Sequence, residues 1–209
     1  MTMLQYITNT DCDRSVVEQV KCVLEGGCRW IQVRMKDASD EEITKVVEEI
    51  MPLCLEKESF LLLDDRVELA KKVNVGGVHL GKEDMAPSRA RVILGPAAVI
   101  GVTANTIDDI EAVRSLDIDY IGIGPFRETS TKKNLAPVLN IDGIRHLCEE
   151  MHKREIDIPT VAIGGIRLED VKTILDTGCN GIAVSGAIAF AEDMVEATRR
   201  FIDLMPTGE

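Results

Sequence analysis

The sequence predicts an α/β fold, a single (β/α)8 TIM barrel spanning residues 1–209, and three observations carry that prediction. Short apolar runs recur along the chain: LQYIT (4–8), WIQVRM (30–35), FLLLDD (60–65), GVHLG (77–81), VIGVT (99–103), YIGIGP (120–125), TVAIGG (160–165) and GIAVSG (181–186). Each run is continuous rather than alternating, as suits parallel strands covered by helices. Segments of helical period lie between them. A doubly wound open sheet is the weaker alternative: it wants a glycine-rich turn after the first strand, and TNTDCD has no glycine. The length sits near the low end of the roughly 200–250 residues usual for the barrel, so the loops must be lean.

The helical segments follow in order. Val17, Val20 and Leu24 share one face, and Gly26-Gly27 ends that helix. Ser39 and Glu42 form a capping box ahead of Ile43, Val46, Val47 and Ile50. Pro87 and Gly95 bracket a shorter helix. Ile144, Leu147, Cys148 and Met151 repeat the helical spacing, as do Leu168, Val171 and Leu175 before Gly178.

Charge and composition narrow the function. With 36 acidic against 24 basic residues the net charge is −12, which opposes non-specific binding to nucleic acid. An anionic substrate therefore needs a local cluster of Lys and Arg. The longest apolar stretches are strand-sized, so no membrane span is expected. The N-terminus lacks the basic start and apolar stretch of a signal peptide. Six cysteines show no C-x-x-C pair and no histidine at zinc spacing. The expected location is cytoplasmic.

In such a barrel the chemistry sits where the strands end. The second run ends in Gln32, Arg34 and Lys36, which strand alternation would turn toward the mouth together. The third ends in Asp64-Asp65-Arg66, and the fourth adds Glu83 and Asp84. Carboxylates from adjacent strands could share a Mg2+ ion, which favours a few carboxylates plus phosphate oxygens; helix capping is the alternative, especially for Asp84 ahead of Pro87. His79, within the fourth run, reads as packed or structurally bonded. Thr103 and Asn105 close the fifth run, with Thr106 the better helix cap. The sixth run delivers GPFRETSTKKN (124–134), a loop tip rich in hydroxyls and cations. Gly164-Gly165 and Ser185-Gly186 end the last two runs and let backbone N–H groups approach a phosphate, with AIAFA as a short extra helix behind them. The mouth thus carries two anion devices. Glycine amides joined by loop hydroxyls suit a monophosphate; Arg34, Lys36, Lys132 and a carboxylate-held Mg2+ suit a diphosphate.

The series IQVRMKD, LLLDDRVELA, GGVHLGKEDM, IGVTANT, DYIGIGPFRETSTKKN, VAIGGI and GIAVSGAI resembles the thiamine phosphate synthase family along essentially the whole chain. The resemblance implies joining hydroxymethylpyrimidine diphosphate to a thiazole phosphate, with Mg2+ as cofactor and no protein nucleophile. By position it implies Gln32 on the aminopyrimidine and Arg34, Lys36 and Lys132 on the diphosphate. It implies Asp65 and Asp84 on Mg2+, and Thr103 near the pyrimidine and leaving group. Thr129, Thr131, Gly165, Ser185 and Gly186 would cradle the thiazole phosphate. Asp64 stands where the family usually has Asn, Asn105 where His is common, Phe126-Arg127-Glu128 where the family is more apolar, and Gly186 where serine is frequent. Asp64, beside the substrate, would either strengthen Mg2+ binding or repel diphosphate. A thiazole tautomerase and a non-catalytic regulator binding thiamine precursors are the alternatives; neither needs a diphosphate clamp. A homo-oligomer is left open.

Overall fold

Every apolar run of the sequence forms a strand, and each strand hydrogen-bonds in parallel to the next. In this computed structural model residues 3–128 and 137–206 are described. The strands are β1 (Leu4–Ile7), β2 (Trp30–Val33), β3 (Phe60–Asp64), β4 (Gly77–Leu80), β5 (Val99–Ala104), β6 (Tyr120–Ile123), β7 (Thr160–Ile163) and β8 (Gly181–Val184). Because β1 pairs with both β2 and β8, the sheet closes into a barrel with no free edge. The expected (β/α)8 architecture is the one observed.

The helices between them are α1 (Val16–Glu25), α2 (Asp40–Glu56), α3 (Val67–Val73), α4 (Pro87–Leu94), α5 (Ile107–Val113), α6 (Asn140–Lys153), α7 (Val171–Leu175), α8 (Gly186–Ala189) and α9 (Met194–Asp203). The Ser39–Glu42 capping box is present, and two more precede α1 (Ser15, Glu18) and α5 (Thr106, Asp109). Each satisfies N–H groups that a helix start leaves orphaned. One expectation is corrected. The segment from Leu168 to Leu175 is not one helix but a 3-10 turn, Leu168–Asp170, leading into α7. Asp170 accepts from the Arg167 N–H there and closes the turn tightly.

Strand parity explains the continuous hydrophobicity. Outward residues such as Tyr6, Ile31, Leu63 and Ile121 join the helices in one large core. Inward residues Ile7, Trp30, Leu62, Tyr120, Val161 and Ala183 fill the barrel centre as a second core. Both faces are dry, so no alternation survives. Near the C-terminal ends the inward positions turn polar, with Gln32, Asp64, His79 and Thr103. Among the described residues no helix is long and apolar enough to cross a membrane.

Candidate active site

The floor of the mouth is a file of polar side chains inside the barrel. Gln5 Nε2 donates to the Tyr120 hydroxyl at 3.0 Å. Tyr120 Oη lies 2.9 Å from His79 Nδ1, and His79 Nε2 lies 2.9 Å from Thr103 Oγ1. Two glycines make room: a Cβ on Gly101 would collide with the Tyr120 ring, and one on Gly122 would come within 3.0 Å of His79 Cε1. Trp30 stands edge-on to Tyr120, with ring centroids 4.8 Å apart. His79 is buried and hydrogen-bonded, in line with its sequence reading.

Above this floor, β2 and β3 bring charges together. Gln32 is buried and donates from Nε2 to Asp64 Oδ1 at 3.3 Å, while Arg34 Nε pairs with Asp64 Oδ2 at 3.3 Å. The pairing of Val33 with Leu63 sets Arg34 beside Asp64. Thr8, just past β1, fixes the Arg34 backbone: its hydroxyl oxygen accepts from Arg34 N at 2.9 Å. Asp64, the departure from the family pattern, is thus engaged with a residue expected to hold diphosphate. The strand argument for Lys36 is corrected. β2 ends at Val33, so alternation turns Gln32 inward but does not reach Lys36, which stands exposed on the loop.

Asp65 lies one residue beyond β3 in the left-handed region, φ 57°. Burial pushes its carboxyl above the ordinary aspartate range, and the Asp84 carboxylate adds to the rise against the pull of Arg66, Lys36 and Arg34. Asp84 does not cap α4, whose N-cap Ala86 makes no side-chain bond; instead it accepts from Gly81 N at 2.6 Å. Two mutually repelling carboxylates, one desolvated, fit a hard divalent cation. No group of three or more ligating side chains gathers among the described residues.

Across the mouth, β6 to β8 present backbone. Gly164 and Gly165 have φ of 103° and 63°, values that favour glycine. Arg127 forks onto Asp170 (Nη1–Oδ2 2.8 Å, Nη2–Oδ1 3.0 Å) and donates to the Gly165 carbonyl at 2.5 Å. The unusual Arg in the sixth loop therefore ties that loop to the seventh. Asn105 Nδ2 donates to the Gly124 carbonyl at 2.6 Å. Ser185 precedes α8, which begins at Gly186, and Asn9 Nδ2 donates to the Ser185 hydroxyl at 3.2 Å. Asn9 is itself held by buried Gln19, whose Oε1 accepts from Asn9 N and whose Nε2 donates to Asn9 O. Thr129, Thr131 and Lys132 lie outside the described residues.

Sequence reasoning missed Gln5, Thr8, Asn9, Gln19 and Tyr120. For Gln5, Thr8, Asn9 and Tyr120 the one signal is polarity within or beside an apolar strand, and for Gln19 it is a polar residue on the buried face of α1; neither by itself says what the side chain reaches.

The chain matches the thiamine monophosphate synthase family over residues 4–188. It is 52% identical over 204 residues to a thiamine-phosphate synthase of Bacteroides fragilis, covering 98% of this chain and 100% of that one. A thiamine-phosphate synthase of Pyrococcus abyssi is 40% identical over 189 residues, with 89% and 88% covered. Among solved structures, thiamine phosphate pyrophosphorylase from Pyrococcus furiosus has a TM-score of 0.86 at 32% identity, covering 97% of this chain and 95% of that one.

Proposed function

The chain belongs to the thiamine monophosphate synthase family, and from that premise we propose that it condenses 4-amino-5-hydroxymethyl-2-methylpyrimidine diphosphate with 4-methyl-5-(2-phosphoethyl)thiazole, giving thiamine phosphate and diphosphate. The observation that supports this reading is that charged side chains and glycine backbone stand at separate strand ends of one barrel. Arg34 with the Asp65 and Asp84 carboxylates occupies the ends of β2 to β4, and the glycine backbone occupies the ends of β7 and β8. A diphosphate and a monophosphate taken together would use both.

The reaction breaks the bond from the pyrimidine methylene carbon to the diphosphate oxygen, and the electron pair leaves with the diphosphate. The thiazole nitrogen lone pair then forms the new C–N bond. The electron-rich aminopyrimidine stabilises the cationic carbon between these events, so no protein nucleophile is required. The chain's task is to orient two substrates and neutralise a leaving anion. Gln32 would orient the aminopyrimidine, Arg34 and Lys36 would hold the diphosphate, and Thr103 would stand near the leaving group. Asp64 would border the pyrimidine site and restrain Arg34 until the substrate arrives. Gly165, Ser185 and Gly186 would receive the thiazole phosphate. Lys132, Thr129 and Thr131 join the diphosphate and phosphate sets on their sequence positions alone. When bound by Asp65 and Asp84, Mg2+ would supply positive charge to the departing diphosphate. The thiols of all six cysteines are free, as suits the cytoplasm, where we place the reaction.

The test is product formation. The purified protein, given both substrates and Mg2+, yields thiamine phosphate, identified by chromatography after oxidation to its fluorescent thiochrome. Binding of the thiazole phosphate with no product on adding the pyrimidine diphosphate would contradict this reading.

A further inference from the structure

The file Gln5–Tyr120–His79–Thr103 has a polarity, and the polarity decides what Thr103 can do. Gln5, Tyr120 and His79 are 1%, 2% and 6% exposed, so their hydrogen bonds must be settled among themselves and their neighbours. Burial pushes the Tyr120 phenol well above its ordinary range, so the hydroxyl keeps its proton. That oxygen already accepts from Gln5 Nε2 at 3.0 Å, and its own proton is best used on His79 Nδ1, 2.9 Å away. Nδ1 is then the acceptor, and a neutral imidazole in that state carries its proton on Nε2. Nε2–H donates to Thr103 Oγ1 at 2.9 Å. A hydroxyl that accepts from below keeps its own proton for whatever lies above. With the opposite tautomer, Thr103 would turn its proton down onto the ring and offer the mouth only lone pairs.

We propose that His79 is a positioning residue: held as the Nε2–H tautomer by Tyr120, it sets the Thr103 hydroxyl as a hydrogen-bond donor toward the leaving diphosphate. This rests on the function proposed above only for the identity of the anion. The hydrogen-bond polarity stands without it. The packing suits a fixed orientation, since the rings lie against Gly101 and Gly122, where a Cβ would crowd them, and Trp30 and Tyr120 meet edge to face. Rotation of the imidazole would break two of the three bonds.

Two measurements test it together. In 15N-labelled protein, long-range 1H–15N spectra report the tautomer of each of the three histidines, and the His79 signals are those lost in His79→Gln. The expected pattern is neutral Nε2–H, with that preference lost in Tyr120→Phe; an Nδ1–H ring in the unaltered protein overturns the proposal whatever reaction the enzyme performs. In steady-state assays, His79→Asn, which has no nitrogen at the Nε2 position, lowers kcat by roughly tenfold or more, up to the ~10²-fold that loss of one preorganised donor costs. His79→Gln, whose amide nitrogen reaches that position, recovers most of the loss. Thr103→Val lowers kcat similarly, and adding His79→Asn to it costs nothing further. An equal penalty for His79→Asn with Thr103 present or replaced would show that His79 does not act through Thr103. An Nε2–H ring in a protein that forms no thiamine phosphate would leave the polarity standing and remove the leaving diphosphate as its object, which overturns the proposal as stated.

Discussion

Asp64→Asn removes one negative charge from the mouth while keeping the side chain's shape. The carboxylate lies 3.3 Å from Arg34 Nε, and both side chains are 16% exposed. At that separation two unit charges attract by about 1 kcal/mol in water and about 5 kcal/mol at an effective dielectric constant of ~20. Desolvation and side-chain ordering return most of the larger figure, so the net loss on breaking the pair is about 1–2 kcal/mol. Asparagine keeps an oxygen for Gln32 Nε2, so that bond survives. For a domain of this size each kcal/mol lowers the midpoint by about 2–4 °C, which predicts a fall of about 2–8 °C in a thermal scan. Ligand binding moves the other way. Arg34 loses its pairing with the Asp64 carboxylate and a negative charge is gone, which favours the pyrimidine diphosphate by about 1 kcal/mol, or roughly fivefold in Kd. Isothermal titration at low salt measures this, and the difference shrinks as ionic strength screens it. A variant with an unchanged midpoint that binds the diphosphate more weakly would refute the reasoning. Asp64 would then be a ligand-holding group rather than a restraint on Arg34.

Asp65→Ala, at the half-buried carboxylate that the Asp84 charge opposes, abolishes Mg2+-dependent turnover with an unchanged circular dichroism spectrum; near-normal rates would remove Asp65 from the proposed metal site. Lys132→Ala slows the chemical step by no more than the about 3–4 kcal/mol that one preorganised charge contact supplies, and single-turnover kinetics would expose an unchanged rate. Asp170→Asn tests the Arg127 fork through pH. Burial raises the Asp170 carboxyl, but hydrogen bonds from Arg127 and the Arg167 N–H overcome it and hold the group below its usual range. A depressed carboxylate stabilises the fold above its unfolded value of about 3.9 and loses that contribution as pH falls through the lower folded value. The deficit of the variant, about 1–2 kcal/mol, is therefore constant from pH 5 to 8 in urea melts and closes below about pH 4. A deficit that persists under acid would mean that packing, not charge, is lost.

The barrel was legible because each strand is dry on both faces and bounded by polar residues, so continuous runs such as FLLL and YIGI stand out without an alignment. Ser39 and Glu42 were legible because a capping box is local, spanning three residues. What is not local was not legible. The pairing of Asp64 with Arg34 depends on the β2–β3 register, which no single run contains. Arg127 stood out as an unusual cation, but its partner Asp170 lies 43 positions away. The Gln5–Tyr120–His79–Thr103 file draws one residue from each of four strands, β1, β6, β4 and β5. Gln5, Tyr120 and His79 each read alone as a tolerated polar core residue, and Thr103 as a hydroxyl at a strand end. The alternation argument failed for Lys36 because it was carried past the true strand end at Val33.

The central claim is that two anion devices in one mouth serve two phosphorylated substrates in one reaction, and diphosphate release tests it most directly. The purified protein is assayed with the pyrimidine diphosphate and the thiazole phosphate, with Mg2+ and without it, and with each substrate omitted in turn. The account predicts release that requires both substrates and the metal, matched mole for mole by thiamine phosphate. Release that proceeds equally well without the thiazole phosphate or without Mg2+, or no release at all, would contradict it.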